Sequence, residues 1–271
     1  MSYDLVLFER NKEIDSYEAF LGWLERQTAW GEDRDYNDIT GTAPRLADGF
    51  VALKKQFPPL NGPHSLSDEE AFADAETERR LTDYSIGSGI IYASFGWSVA
   101  EEAYRETKAV AETYQLGFFD GQTGDLICPD MAVVKFRNEQ GKECCTTWKK
   151  LEQELNTLDS PERGTSSRDN AFVTVWLDSG GAKEVQADET AGDVFMQCIP
   201  NYQKPKGVLK KLFASRETTA AIDGYTVEVC TGGKIFATHV AQKQQLIALF
   251  RGYYESHQIP DHTGWEDTGI I

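Results

Sequence analysis

Apolar and polar positions follow two rhythms along this chain, and those rhythms divide it into elements. Tyr3 to Glu9 opens on an apolar run without helical period, which predicts a buried strand. Tyr17, Phe20, Leu21 and Leu24 then recur at helical spacing. Asp15 or Ser16 precedes them and can cap that helix by accepting a bond from an unpaired backbone N–H. The polar stretch Gly31 to Thr42 interrupts before a second helix begins near Pro44, with Leu46, Phe50, Leu53 and Phe57 as its stripe. Proline suits the first helical turn because its missing N–H would have no partner there. Pro58-Pro59 ends the helix, and an acidic loop is expected from Asn61 to about Arg80. Thr82 to Trp97 is rich in Ile, Tyr and Phe and broken by Gly87 and Gly89, so it predicts one bent strand or a tight hairpin. Ser98-Val99-Ala100-Glu101 has capping-box spacing and predicts a helix to about Tyr114. Leu116 to Asp120 reads as a strand closed by turns at Gly121 and Gly124.

A second unit starts near Met131. Ala132 to Phe136 predicts a strand, and Thr146 starts a helix bearing Trp148, Leu151, Leu155 and Leu158. A polar loop, Asp159 to Asn170, leads to strands at Ala171–Leu177, Lys183–Ala187, Val194–Ile199 and Tyr225–Cys230. In the last of these Tyr225, Val227 and Val229 alternate with Thr226 and Glu228, the pattern of a half-buried strand. Lys234 to Thr238 completes a hairpin across Thr231-Gly232-Gly233. A final helix carries Leu246, Leu249, Phe250 and Tyr253 ahead of a polar tail at Trp265-Glu266-Asp267. The expected architecture is α+β in two units: residues 1–130 as a β-α-α-β-α-β layered unit, and residues 131–271 as a mainly antiparallel sheet with flanking helices.

Charge changes the picture more than length does. The 271 residues carry 27 Lys and Arg against 44 Asp and Glu, a net charge of −17. Residues 1–130 hold 11 basic and 25 acidic side chains, net −14, while residues 131–271 hold 16 and 19, net −3. Phosphate backbones and anionic lipid bind clustered Lys and Arg, so neither nucleic acid nor membrane is an expected partner. No stretch approaches the ~18 apolar residues of a spanning helix. Met1-Ser2-Tyr3-Asp4-Leu5 lacks the basic-then-apolar opening of a secretory signal. The five cysteines, Cys128, Cys144, Cys145, Cys198 and Cys230, include no CxxC, which fits free thiols in a reducing cytoplasm. The adjacent pair reads as two small apolar residues leading into a helix, with redox regulation as the alternative.

Catalytic patterns find little purchase. His257 and His262 are separated by Pro260, so one helix face does not present both. Gly87-Ser88-Gly89 lacks the third glycine of a dinucleotide loop, and Gly232-Gly233-Lys234 lacks the upstream glycine and following hydroxyl of a phosphate loop. Asp33, Asp35 and Asp38 are spaced faintly like a calcium loop, but Asp38 stands where its glycine belongs and Pro44 where its glutamate belongs. No catalytic residue, metal or cofactor is therefore assigned. What remains is an acidic surface set with aromatics: Trp30, Glu32, Asp33, Asp35, Tyr36 and Asp38 in one loop, and Asp68, Glu69 and Glu70 in the next. An aromatic supplies buried area and the charge steers a partner, the division of labour seen at protein–protein hot spots.

Two stretches carry a resemblance. Ser2-Tyr3-Asp4-Leu5, Phe20 with Trp23, Tyr36-Asn37-Asp38, Phe57-Pro58-Pro59-Leu60-Asn61-Gly62-Pro63 and Asp83-Tyr84-Ser85-Ile86-Gly87 with Ile91-Tyr92-Ala93 resemble a group of uncharacterised bacterial stand-alone proteins. The tail, Phe250-Arg251-Gly252-Tyr253-Tyr254 through Pro260 to Trp265-Glu266-Asp267, is similar to the end of immunity proteins of bacterial polymorphic-toxin and type VI secretion systems. That likeness implies a cytoplasmic, non-catalytic protein that binds a cognate toxin and occludes its active site. A nuclease, with its basic site, is a toxin that an acidic surface would fit. A carboxylate-dependent hydrolase and a non-catalytic scaffold or adaptor stand as alternatives, and the sequence sets no oligomeric state.

Overall fold

The computed structural model describes residues 2–160, 171–179, 194–202 and 222–270. The chain forms two compact units, one ending at Val133 and the other beginning at Val134. The first contains β1 (Tyr3–Phe8), α1 (Tyr17–Gln27), α2 (Pro44–Leu53), α3 (Asp68–Ala71), α4 (Ala75–Arg80), β2 (Asp83–Ile86) and β3 (Ile90–Phe95). A 3-10 turn (Trp97–Val99), α5 (Ala100–Tyr114), β4 (Gly117–Asp120) and β5 (Asp125–Ile127) complete it. Its sheet runs β2-β3-β1-β4-β5, antiparallel at every pair.

β1 lies at the centre of that sheet and is buried on both faces. Leu5 and Leu7 point to the face that packs on Leu46, Phe50 and Leu53 of α2 and on Ala103 and Ala111 of α5. Val6 and Phe8 point the other way, where Phe20 and Trp23 of α1 meet the Phe8 ring at 4.9 and 5.4 Å. Ser16 caps α1 by accepting a 3.2 Å bond from the Ala19 N–H. The buried stripe of α1 is Tyr17, Phe20 and Trp23; Leu21 and Leu24, expected in that stripe, are only half-buried. Each fully buried large side chain of this kind contributes about 1.5–3 kcal/mol.

Of the two readings of Thr82 to Trp97, the hairpin is the one that forms, with Gly87-Ser88-Gly89 as its turn. Other local expectations change. The stretch expected as a loop from Asn61 to Arg80 contains two short helices. Ser67 and Glu70 form a reciprocal capping box for α3, and Asp74 caps α4 through the Thr77 N–H. Arg80 then ties α4 to Glu102 of α5 at 2.7 Å. The capping box expected at Ser98 does not form. Val99 is buried in the core and occupies the N-cap, which places Ser98 inside the 3-10 turn and starts the helix at Ala100.

The second unit comprises β6 (Val133–Asn138), β7 (Glu143–Cys145), α6 (Trp148–Thr157), β8 (Val173–Asp178), β9 (Phe195–Tyr202), β10 (Ile222–Thr231), β11 (Lys234–Val240), α7 (Lys243–Ser256) and β12 (Glu266–Ile270). The strand order is β12-β11-β10-β9-β8-β6-β7. Val173, Val175, Met196, Cys198, Val227 and Val229 share one face with Leu151 and Leu155 of α6 and with Leu246 and Phe250 of α7. Thr147, not Thr146, caps α6, because β7 runs on through Cys145. The tail expected to be polar coil adds β12 to the sheet edge. The strand expected at Lys183–Ala187 lies outside the described residues. The fold is thus α+β with two antiparallel sheets, and among the described residues no helix is long and apolar enough to cross a membrane.

Two predictions follow from the packing. Gly117 sits opposite Phe8 across the β1–β4 pair, and a Cβ there would come within 2.1 Å of the Phe8 ring. Gly117→Ala should therefore cost about 1–3 kcal/mol by overpacking, read as a lowered urea midpoint with unchanged slope. In the second unit Asp159 accepts from Tyr225 Oη at 2.6 Å and pairs with Lys243. Burial raises its pKa, but the bonds from Lys243 and Tyr225 outweigh that and leave it below the usual carboxylate range. A carboxylate depressed in the folded state stabilises above its unfolded pKa and loses that stabilisation as pH falls through the folded one. Asp159→Asn should lower the melting temperature at neutral pH and flatten its decline on the acid side of the unfolded carboxylate pKa; a parallel decline in wild type and variant would refute the assignment.

Candidate functional site

The acidic loop after α1 is an ordered structure built around one cation. Arg34 has a side chain only 11% exposed, and its guanidinium donates to the carbonyls of Asp38 and Thr40 at 3.0 and 3.1 Å and to Thr42 Oγ1 at 2.9 Å. It also faces Glu32 at 3.5 Å. Glu32 reaches across to the β2–β3 turn, accepting from the Ser88 N–H at 3.0 Å and the Ser88 hydroxyl at 2.8 Å. Tyr36 Oη accepts from the Glu32 N–H at 2.6 Å. The loop is therefore clamped to the hairpin at one end and closed on itself at the other.

The expected carboxylates divide into two kinds. Asp35 accepts from the Asn37 N–H at 2.9 Å, and Asp38 accepts from the N–H and hydroxyl of Thr40 at 3.0 and 3.1 Å. Those bonds hold the Asp38 pKa below the usual carboxylate range, with the nearby His64 adding to the effect. Glu70 belongs to the α3 capping box and is depressed for the same reason, the bonds from Ser67. Glu32, Asp35, Asp38 and Glu70 therefore shape the loops through hydrogen bonds, Asp35 and Glu70 while remaining exposed, and Asp33, Asp68 and Glu69 are exposed too. Gly62 joins the two acidic segments. Its φ of +87° and its approach to Asn37, where a Cβ would lie 2.5 Å from the carbonyl oxygen, both require glycine.

The aromatics of this loop border a cavity absent from the sequence reading. Trp30 adopts φ +51°, a left-handed backbone that costs a non-glycine residue about 1–3 kcal/mol. Its ring packs edge-on against Tyr36 at 5.1 Å and against Tyr92 at 6.3 Å and 86°. Beside them a cavity of about 630 Å³ opens between α1 and the outer face of the sheet, lined by Leu21, Leu24, Glu25, Trp30, Tyr92 and Phe119, among others. The alternation in Ile91-Tyr92-Ala93-Ser94-Phe95 was the available signal. It puts Tyr92 and Ser94 on the face opposite the main core.

A second cavity, of about 870 Å³, lies in the other unit and includes Arg137, Glu143, Gln197 and His257 in its lining. Glu143 is the single carboxylate among its described lining residues. Among the described residues no cluster of three His, Cys, Asp or Glu side chains could hold a metal ion. All five cysteines are buried thiols, and burial pushes the Cys128 thiol up to about 11, far from the reactive range. Comparison with family models, with curated proteins and with solved structures finds no match to this chain.

Arg34 is the test of the loop's order. Arg34→Ala leaves the Asp38 and Thr40 carbonyls and the Glu32 carboxylate without their shared donor. It should cost about 1–3 kcal/mol and raise amide exchange across residues 32–42. Unchanged exchange in that segment would show that the loop is held by other contacts.

Proposed function

We propose that this protein binds and occludes a basic site on a protein partner, as an immunity protein does for a cognate bacterial toxin delivered by a type VI or related system. The observation that carries the reading is the placement of charge. Residues 1–133 bear net −14, and the exposed carboxylates stand on ordered segments, Asp33 in the loop held by Arg34 and Asp68 and Glu69 in the capped first turn of α3. Pre-ordering lowers the entropy lost on association, and one-signed charge accelerates encounter with an oppositely charged surface. A nuclease active site has that opposite charge, since it must hold phosphate. The buried thiols agree with a cytoplasmic setting.

A carboxylate-dependent hydrolase would draw on two carboxylates with separated pKa values. Every carboxylate among the described residues with a clear shift is lowered, at Asp38, Glu70, Asp74, Glu76, Asp159, Asp261 and Asp267. The hydrolase reading gains no support from these shifts, and the cavity containing Glu143 offers no second carboxylate among its described lining residues. Binding remains the better account.

The test is co-expression with the toxin gene adjacent in the genome, scored for rescued growth and for a complex stable to gel filtration. Rescue and complex are expected; an adjacent toxin that still kills and does not co-purify removes the reading. Within a complex, joint reversal of Asp33, Asp68 and Glu69 to Lys should slow association about tenfold or more at low salt and flatten its salt dependence. Asp35, Asp38 and Glu70 are left intact in that variant because they hold the loops. Unaltered association kinetics would place the contact elsewhere.

A further inference from the structure

The cavity on the outer face of the first sheet has a chemistry of its own. Its aliphatic wall is Leu21 and Leu24, and its aromatic wall is Trp30 and Tyr92, set nearly at right angles, with Phe119 beyond. Glu25 is the one charged residue in the lining among the described residues, and no described Lys, Arg or His accompanies it. Asp4 adds a second carboxylate on the same sheet face. Paired in register with Ser94, it accepts the Ser94 hydroxyl at 2.8 Å, and its proximity helps burial to raise the Tyr92 pKa. An anion would meet only negative charge here. A cation with an apolar stem would meet aliphatic surface for the stem, aromatic faces for the charge and the Glu25 carboxylate for its hydrogen bonds.

We propose that this cavity receives an arginine side chain presented by the protein partner. The proposal rests on the protein-binding reading above and deepens it by naming what the acidic unit grips. Right-angled aromatic rings beside a carboxylate recognise cations through the negative faces of the rings. Arginine fits better than lysine because its planar guanidinium stacks on a ring and is more weakly hydrated, so it sheds water at lower cost. The left-handed backbone at Trp30 supports the assignment. A non-glycine residue held in that conformation fixes the indole at the cavity rim, and the surrounding loop is clamped by Glu32 and Arg34. The volume, about 630 Å³, exceeds a single side chain and leaves room for the neighbouring backbone of a peptide segment. The net −14 of the unit supplies the long-range attraction that brings such a segment in.

The experiment titrates the full chain with an acetylated, amidated Gly-Arg-Gly peptide and with its neutral citrulline counterpart, following the Trp30 indole N–H by NMR at physiological ionic strength. The expected result is a saturable shift at Trp30 with the arginine peptide and binding about tenfold weaker with citrulline. Trp30→Ala should abolish the shifts at Tyr92 and Leu24. Because that substitution removes two ring contacts, Glu25→Gln provides the second variant: Glu25 is exposed, and its replacement keeps the packing while weakening the arginine peptide several-fold. Equal binding of both peptides would overturn the proposal, as would shifts spread over the whole acidic surface or none at Trp30. The toxin complex separates this claim from the one beneath it. A complex unaffected by either variant removes the arginine pocket and leaves toxin binding intact, whereas a wild-type chain that forms no complex removes the toxin reading whatever the peptide does.

Discussion

The first unit depends on one constraint: its central strand has to be covered on both faces. Leu5 and Leu7 on one side and Val6 and Phe8 on the other are all essentially inaccessible to water, so a single helical layer would leave half of that apolar surface exposed. α2 and α5 cover the first face together. On the second face α1 packs through Phe20 and Trp23 on Phe8 and through Phe20 on Phe119, while Ser85, Tyr92 and Ser94 of the same sheet line the cavity. The cavity is the remainder of that incomplete layer. Gly117 shows how tight the covered part is, because the Phe8 ring occupies the space where any side chain would begin.

The acidic loop after α1 borders the same face through Trp30. Glu32 bonds to the Ser88 amide and hydroxyl at the tip of the hairpin whose strands floor the cavity, so the loop and the sheet are fixed together. Arg34 donates through one guanidinium nitrogen to the carbonyls of Asp38 and Thr40, which folds the loop back on itself. Excess charge would otherwise open such a loop. Here Glu32, Asp35, Asp38, Glu70 and Asp74 are bonded into turns and caps.

Much of the architecture was legible along the chain. The stripe of α2 and the alternation of β10 place every residue on the side that the cores confirm. Ser16 fills the expected cap, and both glycine-broken hairpins close where the turns were read. Short elements were not legible. β5 and β7 have three residues each and α3 four, too few for a period to emerge, and β12 is an exposed edge strand without an apolar face. Ser67-Asp68-Glu69-Glu70 did carry capping-box spacing, and its acidic character drew the eye to charge instead. Ser98 misled for the opposite reason. Its spacing was right, but burial of Val99 shifted the helix start by a residue, and tertiary packing outweighed a cap worth about 1 kcal/mol.

The aromatic–acidic loop shows the same division at the candidate site. The sequence determined that Trp30 and Tyr36 sit among carboxylates and that nearly all the excess charge belongs to the first half, because composition and chain position do not depend on folding. The tertiary structure decided which carboxylates are free and which are hydrogen-bonded. It also brought Tyr92, Glu25 and Leu24 beside Trp30. Those residues come from a strand and a helix that meet only because β1 has two faces to cover. A spacing rule registers neighbours within one element, whereas a cavity is defined by the part of a face that a second element fails to reach.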